Sequence, residues 1–273
     1  PHGLEADFLG GRIPAIQVNV DATTISQAGV GTAYIQEIIA RETASYLKHD
    51  RADPLVPINA VIRAMFNPNL EALTFTSSMG VINNVTILAI ILVGAAGMRE
   101  REHGTIEHLL VMPVSASEII AGKVWANGLV ILLAAAFSLH VVVEVVLRTR
   151  IVGSIELFLV GTAIYLFAVT SLGILLATVA NSMPQFALLS IPVFVLMFLL
   201  SGAFTPFESM PRALQAIMDL SPSTHFVRFA QAVLYRGAGI DVVWRDLLIM
   251  VGLGAAFVVV ALYRFKAMLA RQS

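Results

Sequence analysis

Arg99, Glu100, Arg101, Glu102 and His103 are five consecutive titratable residues in a chain with only 13% charged residues. Both signs are present, so the cluster could pair with a protein surface or sit among lipid headgroups. Further along, Gly122-Lys123 invites comparison with a phosphate cradle. That motif needs Gly-x-x-x-x-Gly-Lys-Ser/Thr, so that backbone N–H groups surround the anion. Ser117 stands where the first glycine belongs and Val124 where the hydroxyl belongs, and no other Gly-Lys pair occurs. ATP chemistry is therefore expected on a partner or another domain. His140, Glu144 and Arg148 recur at i, i+4, i+8. They form either a substrate or proton contact inside the membrane, or an ion-paired cluster at headgroup level with Arg148 snorkelling. Asn83, Asn84 and Thr86 could line a substrate path or bond a neighbouring helix. His2, His49, His103, His108, His140 and His225 show no metal-ligand spacing, and no serine sits on a nucleophile elbow. With no cysteine, thiolate and disulfide chemistry is excluded.

The elements that must position these groups are mostly apolar. Of 273 residues, 58% are hydrophobic, and a soluble domain would carry about 25% charged residues. A membrane-crossing helix needs roughly 20 apolar residues. Five stretches qualify: 79–98, 124–147, 155–180, 184–204 and 247–265. The expected fold is an all-α polytopic membrane protein, residues 78–273, preceded by a partial α/β domain, residues 1–77. In that domain 13–20 reads as a strand, 26–48 as a helix opened by Thr24 and Gln27 with an Ile35, Ile38, Ile39 stripe, and 55–66 as a strand demoted to an edge or bulge at Pro57. A net charge of −1 and the lack of a long basic run argue against nucleic acid. Lys and Arg divide six to six between the two loop sets, which leaves orientation open. The chain opens at Pro1 without a signal peptide, and a preceding segment is expected.

The charged cluster begins a segment that splits at a proline. Residues 99–112 place Ile106, Leu109 and Leu110 on one helical face, with Arg99, Glu100, His103 and Glu107 largely opposite. Pro113 ends this helix. Ser115 and Glu118 have capping-box spacing, so a new helix starts near Ser115 and runs into the next span. Interfacial helices favour Lys and Arg, whereas this one carries Glu100, Glu102 and Glu107 as well. Docking on a protein partner suits the mixture better. In the long connection 205–246, Pro211 suits a first turn. A second amphipathic helix, about 224–236, would carry Phe226, Phe229 and Val233 on one stripe and end at Gly237. Thr162, Thr170, Ser171, Gly173 and Ala177 read as close helix packing, and Pro192 as a kink.

The stretch MREREHGTIEHLLVMPVSASEIIAGK, residues 98–123, closely resembles the cytoplasmic loop of ATP-binding-cassette type-2 exporter permeases, with Glu100, Glu102, Gly104, Thr105, Glu107, Leu109, Pro113, Gly122 and Lys123 on the family pattern. FNPN at 66–69, SMPQ at 182–185, SGAFTPFESMP at 201–211 and SPSTHFVRFAQAVLYRGAG at 221–239 look similar to the same family, in its bacterial inner-membrane, drug-efflux-like branch. The resemblance implies a cytoplasmic loop at 99–123 whose helix seats in a cassette ATPase subunit, through Glu100, Glu102, Gly104, Thr105, Glu107, Leu109 and Pro113. It implies an extracytoplasmic N-terminal domain, six spans in the complete protein, and an external re-entrant lid at 205–246 with Pro206, Phe226 and Phe229 at the gate. It also implies a cytoplasmic C-terminus, a second permease copy or paralogue, a small-molecule or lipid-like substrate, and ATP with Mg²⁺ held by the partner rather than by this chain. Asn83, Asn84, His140 and Glu144 are the candidate path residues. Two other readings stay open: a proton-coupled carrier using His140 and Glu144, and a membrane assembly factor worked by a cassette ATPase.

Overall fold

The computed structural model describes residues 15–21, 25–50, 59–65, 72–102, 115–146, 153–205 and 207–269. Its contacts divide the chain into two units, Pro1–Phe75 and Thr76–Ser273. In the first, strand β1 (Ala15–Asp21), helix α1 (Ile25–Asp50) and strand β2 (Asn59–Met65) follow in order. The strands pair in parallel, from Ala15 opposite Asn59 to Asp21 opposite Met65. A parallel pair needs a crossover between its strands, and α1 supplies it. Gln17 and Asn19 are exposed while Ile16, Val18 and Val20 are half-buried, the alternation expected of a strand. Of the α1 stripe, Ile35 and Ile38 are exposed and Ile39 is half-buried. Thr24, Pro57 and the turn at 66–69 lie outside the described residues.

The second unit is helical: α2 (Ala72–Glu102), α3 (Ala116–Phe137), a π-helix (Ser138–Val146), α4 (Ile155–Val179), α5 (Met183–Leu199), the short α6 (Arg212–Met218), α7 (Pro222–Leu234) and α8 (Ile240–Leu269). Among the described residues, four helical stretches are long and apolar enough to cross a membrane: Met79–Arg99, Ser117–Val142, Ile155–Val179 and Ile240–Ala267. Three sequence boundaries require correction. The stretch expected at 184–204 is a 17-residue helix ending at Leu199, which rises only ~26 Å against a hydrocarbon core of about 30 Å. It stops because the chain bends at Ser201-Gly202, where Gly202 takes φ +96, a conformation natural to glycine alone. The last helix begins at Ile240 rather than 247, with Asp241 in its first turn, where a carboxylate suits the positive end of the helix dipole. And α2 continues past 98 to Glu102, so Arg99–Glu102 close a long helix instead of opening a new one.

Local signals are found where their spacing puts them. Ser115 caps α3 with both halves of a capping box, its Oγ accepting from Glu118 N at 3.3 Å while Glu118 Oε2 accepts from Ser115 N at 2.6 Å. Ser154 caps α4 by accepting from Leu157 N. The α4 hydroxyls turn inward on their own helix: Thr162 donates to Phe158 O, Thr170 to Leu166 O and Ser171 to Phe167 O. They are satisfied without a ligand, as close helix packing requires. At one end of the bundle Val93, Ile120, Val124, Ile174 and Ala261 form a common core, which brings the ends of α2, α4 and α8 beside the start of α3. The α7 segment lies at the other end, where the start of α8 meets it through Asp246 and His225.

Candidate functional site

Two built regions occupy opposite ends of the helical unit. The first lies at the tip of α2. Gly94, Met98 and Glu102 follow at i, i+4 and i+8, one face of a helix. A Cβ at Gly94 would lie 2.1 Å from the Phe186 ring, so the ring rests on bare α2 backbone. Met98 is buried with Ala177, Ala180 and Phe186, and Met183 and Leu189 pack against them. Glu102 completes the stripe, its Oε1 accepting from the backbone N–H of Met183 at 2.7 Å. That N–H opens α5, where the N-cap Ser182 makes no side-chain cap bond.

The second region is α7, which presents its apolar stripe inward. Phe226, Phe229 and Val233 are completely buried. The Phe226 ring stacks on Tyr165 at 4.0 Å between centroids and 8° between planes, and Phe158 and Phe229 extend the group. Gly161 makes room, since a Cβ there would lie 2.1 Å from the Phe229 ring. Tyr165 shares a 2.6 Å hydrogen bond with Thr86 of α2, whose hydroxyl also lies 2.8 Å from Ile82 O. The helix ends at Leu234, and Gly237 has φ +64. His225 fastens its start: Nε2 lies 2.9 Å from the Asp219 carbonyl and Nδ1 3.1 Å from Asp246 Oδ1. Burial alone would pull the imidazole down. The bonds to Asp246 and Asp219 and the charge of Asp246 outweigh that and the opposing Arg228, leaving His225 above its ordinary value. Ser223 Oγ donates to Met197 O at 3.2 Å, tying α7 to the end of α5.

The structure separates the residues singled out from sequence. Glu100 and Glu102 belong to the last turn of α2, and Glu102 is exposed beside α5. Gly104, Thr105, Glu107, Leu109, Pro113 and Pro206 lie outside the described residues. Asn83, about one turn from Thr86 on α2, is half-buried, and Asn84 is exposed. His140 is exposed and lies, with Glu144, in the π-helix, where the turn is wider than the α-helical i, i+4 reading assumed. An apolar crevice of about 280 Å³ opens between α3, α4 and α8, lined by Trp125, Leu129, Leu132, Ile164, Phe167 and Val251 among others, and Asn83, Asn84 and His140 do not line it. Sequence reasoning missed Tyr165, Asp246 and the role of His225, because each acts through a partner on another element. It also missed Ser190 Oγ, Thr224 Oγ1 and Gln231 Nε2 on α5 and α7, which are buried without a hydrogen-bond partner among the described residues.

The family model described as ABC-2 family transporter protein matches residues 1–263. The inner membrane transport permease YhhJ of Escherichia coli (strain K12) is 50% identical over 268 residues, covering 97% of this chain and 71% of the relative. The chain belongs to the ABC-2 transporter family. The probable multidrug ABC transporter permease YbhR of the same strain is 27% identical over 261 residues, 93% of this chain and 68% of the relative. YbhS, with the same description, is 24% identical over 225 residues, 81% of this chain and 59% of the relative. An ABC-2 protein is a membrane transport component rather than a catalytic one. The family in general implies an ATPase partner and dimeric permeases. The apolar helices above are thus those of a multi-pass permease of an ABC transporter, and the α2 tip and α7 are its two structured ends.

Proposed function

We propose that this chain is the membrane-spanning subunit of an ATP-driven exporter moving a small amphiphilic molecule, drug-like or lipid-like, out across a bacterial inner membrane. A cassette ATPase holds ATP and Mg²⁺, and two permeases, identical or paralogous, form the path. In this reading α5 is the fifth span, the end carrying Glu102, Lys123 and Lys266 is cytoplasmic, and α6 and α7 form an external lid.

The observation that carries the proposal is the mixed-charge sequence Arg99–His103, whose first four residues form the last turn of α2, in an ABC-2 chain with no phosphate cradle of its own. Charges of both signs at a helix end suit a groove on a folded partner, which steers and orients by complementary charge. Support for an amphiphilic cargo comes from the apolar crevice beside Trp125 and from the similarity to YbhR, a probable multidrug ABC transporter permease.

The test uses the protein from its complete gene, purified with the cassette ATPase that accompanies it and reconstituted in vesicles. Uptake of a fluorescent amphiphile by inside-out vesicles should require ATP. Glu107→Ala should lower transport at least about tenfold, the loss expected when one charged interfacial contact is truncated. Uptake that survives ATP depletion and collapses with the proton gradient would replace this reading with a carrier using His140 and Glu144. An active ATPase complex that moves no cargo would favour the assembly factor.

A further inference from the structure

We infer that Glu102 is a positioning residue that joins α2 to α5, making α5 a lever between the ATPase-facing end and the lid. The inference rests on the coupling role proposed above and adds a route to it. Three observations converge. First, the N–H of Met183 opens α5, and Pro184, next in line, has no N–H to offer. The partner of Met183 comes from 81 residues earlier in the chain, as Glu102 Oε1. A carboxylate at that point meets the positive end of the helix dipole through a charge-assisted bond. Second, the same face of α2 is keyed to α5 by shape: the Phe186 ring sits on Gly94, and Met98 packs beside it. A packed joint of this kind passes displacement on, because close-packed interiors deform little. Third, the far end of α5 reaches the lid. Met197 O accepts from Ser223 Oγ of α7, 14 residues and roughly 20 Å along the axis from Met183. Pro192 lies between them and removes one helical hydrogen bond, toward Leu188.

The joint therefore stays closed while α2 and α5 move together, and the displacement arrives at α7. These 273 residues contain no cysteine, and with any cysteine elsewhere in the complete protein replaced, thiol experiments are clean. In the reconstituted complex, Arg236→Cys reports on the turn after α7 by its labelling rate with a soluble maleimide, with and without ATP. The parent Arg236→Cys protein should show an ATP-dependent rate. Adding Glu102→Ala should erase that dependence and lower transport per ATP hydrolysed about tenfold, as for loss of a hydrogen bond to a charged group. Glu102→Gln, which keeps an acceptor, should retain part of the coupling. A cross-linked Glu102→Cys/Met183→Cys pair should restore both readouts, which a residue needed only for folding would not do. The inference falls if labelling in Glu102→Ala still follows ATP, or if the cross-link abolishes transport. If the parent itself ignores ATP, the coupling role fails instead.

Discussion

A backbone carbonyl can only accept, so the 2.9 Å contact from His225 Nε2 to Asp219 O places a proton on Nε2. An ionised Asp246 also accepts, and its 3.1 Å contact asks for a second proton on Nδ1. The imidazolium form satisfies both acceptors at once, and neutral His225 gives up one. Arg228, whose guanidinium lies 3.8 Å from Asp219 and over the Phe207 ring, opposes that charge without cancelling it. Because the folded state raises His225 above its ordinary 6.5, its contribution is complete below that pH and is lost as pH rises through the higher folded value. Melting temperature in detergent should therefore fall as pH rises above about 6.5, where the raised imidazole gives up its proton. His225→Gln should flatten that part of the profile. His225→Ala should cost about 2 kcal/mol at pH 6, the range for hydrogen bonds to charged groups. A profile unchanged by His225→Gln would show that the fastening carries no charge.

Helix packing in this unit depends on which glycines face a ring. Gly161 of α4 supports Phe229, whereas a Cβ at Gly128 of α3 would meet nothing within 4 Å. Gly161→Ala should destabilise by about 1–3 kcal/mol through overpacking and loosen α7. Gly128→Ala should be neutral or stabilising by up to about 1 kcal/mol, the helix propensity difference. Differential scanning fluorimetry of the two variants decides the matter, and equal shifts would refute the packing account. The contrast also shows what the sequence could disclose. The Ser115–Glu118 box, the Phe226, Phe229, Val233 stripe and the Gly237 cap were legible because the residues that define each pattern lie within a few positions of one another. The apolar spans at α2, α3 and α4 were legible from length. The end of α5 was misread because Ala203 and Phe204 extend the apolar run past Gly202, where the backbone has already turned. The early start of α8 was hidden by Asp241, Arg245 and Asp246, which a hydropathy reading sets outside a span. Pairings such as Glu102–Met183, Thr86–Tyr165 and His225–Asp246 span 81, 79 and 21 residues, and no local pattern encodes them.

At the scale of the whole helical unit, α3 and α8 turn wide apolar faces outward. Trp125, Leu133, Phe137, Leu248, Val259 and Tyr263 are all exposed. Such surface is far beyond what water tolerates on a monomer and suits lipid or a second permease. The connections then sort the polar groups by end. Glu102, Ser115 and the Arg264–Lys266 turn of α8 share one end, since Ala261 packs against Ile120 and Ile174 and Phe265 lies against the same cluster. Asp219, His225 and Asp246 gather at the other, around α7. Charge counting alone balanced six against six, but the proposed coupling fixes the sign: the Glu102 end must face the ATPase. In a chain without native cysteines, Arg212→Cys and Arg236→Cys should each label in intact cells with a membrane-impermeant maleimide, once the reagent has access to the outer face of the inner membrane. Lys266→Cys, past the Ala261 core at the same end of the bundle as Glu102, should label only after that membrane is opened. The reverse pattern would place α7 on the cytoplasmic side, where it could not serve as an outer lid, and would remove the ATPase from reach of Arg99–His103.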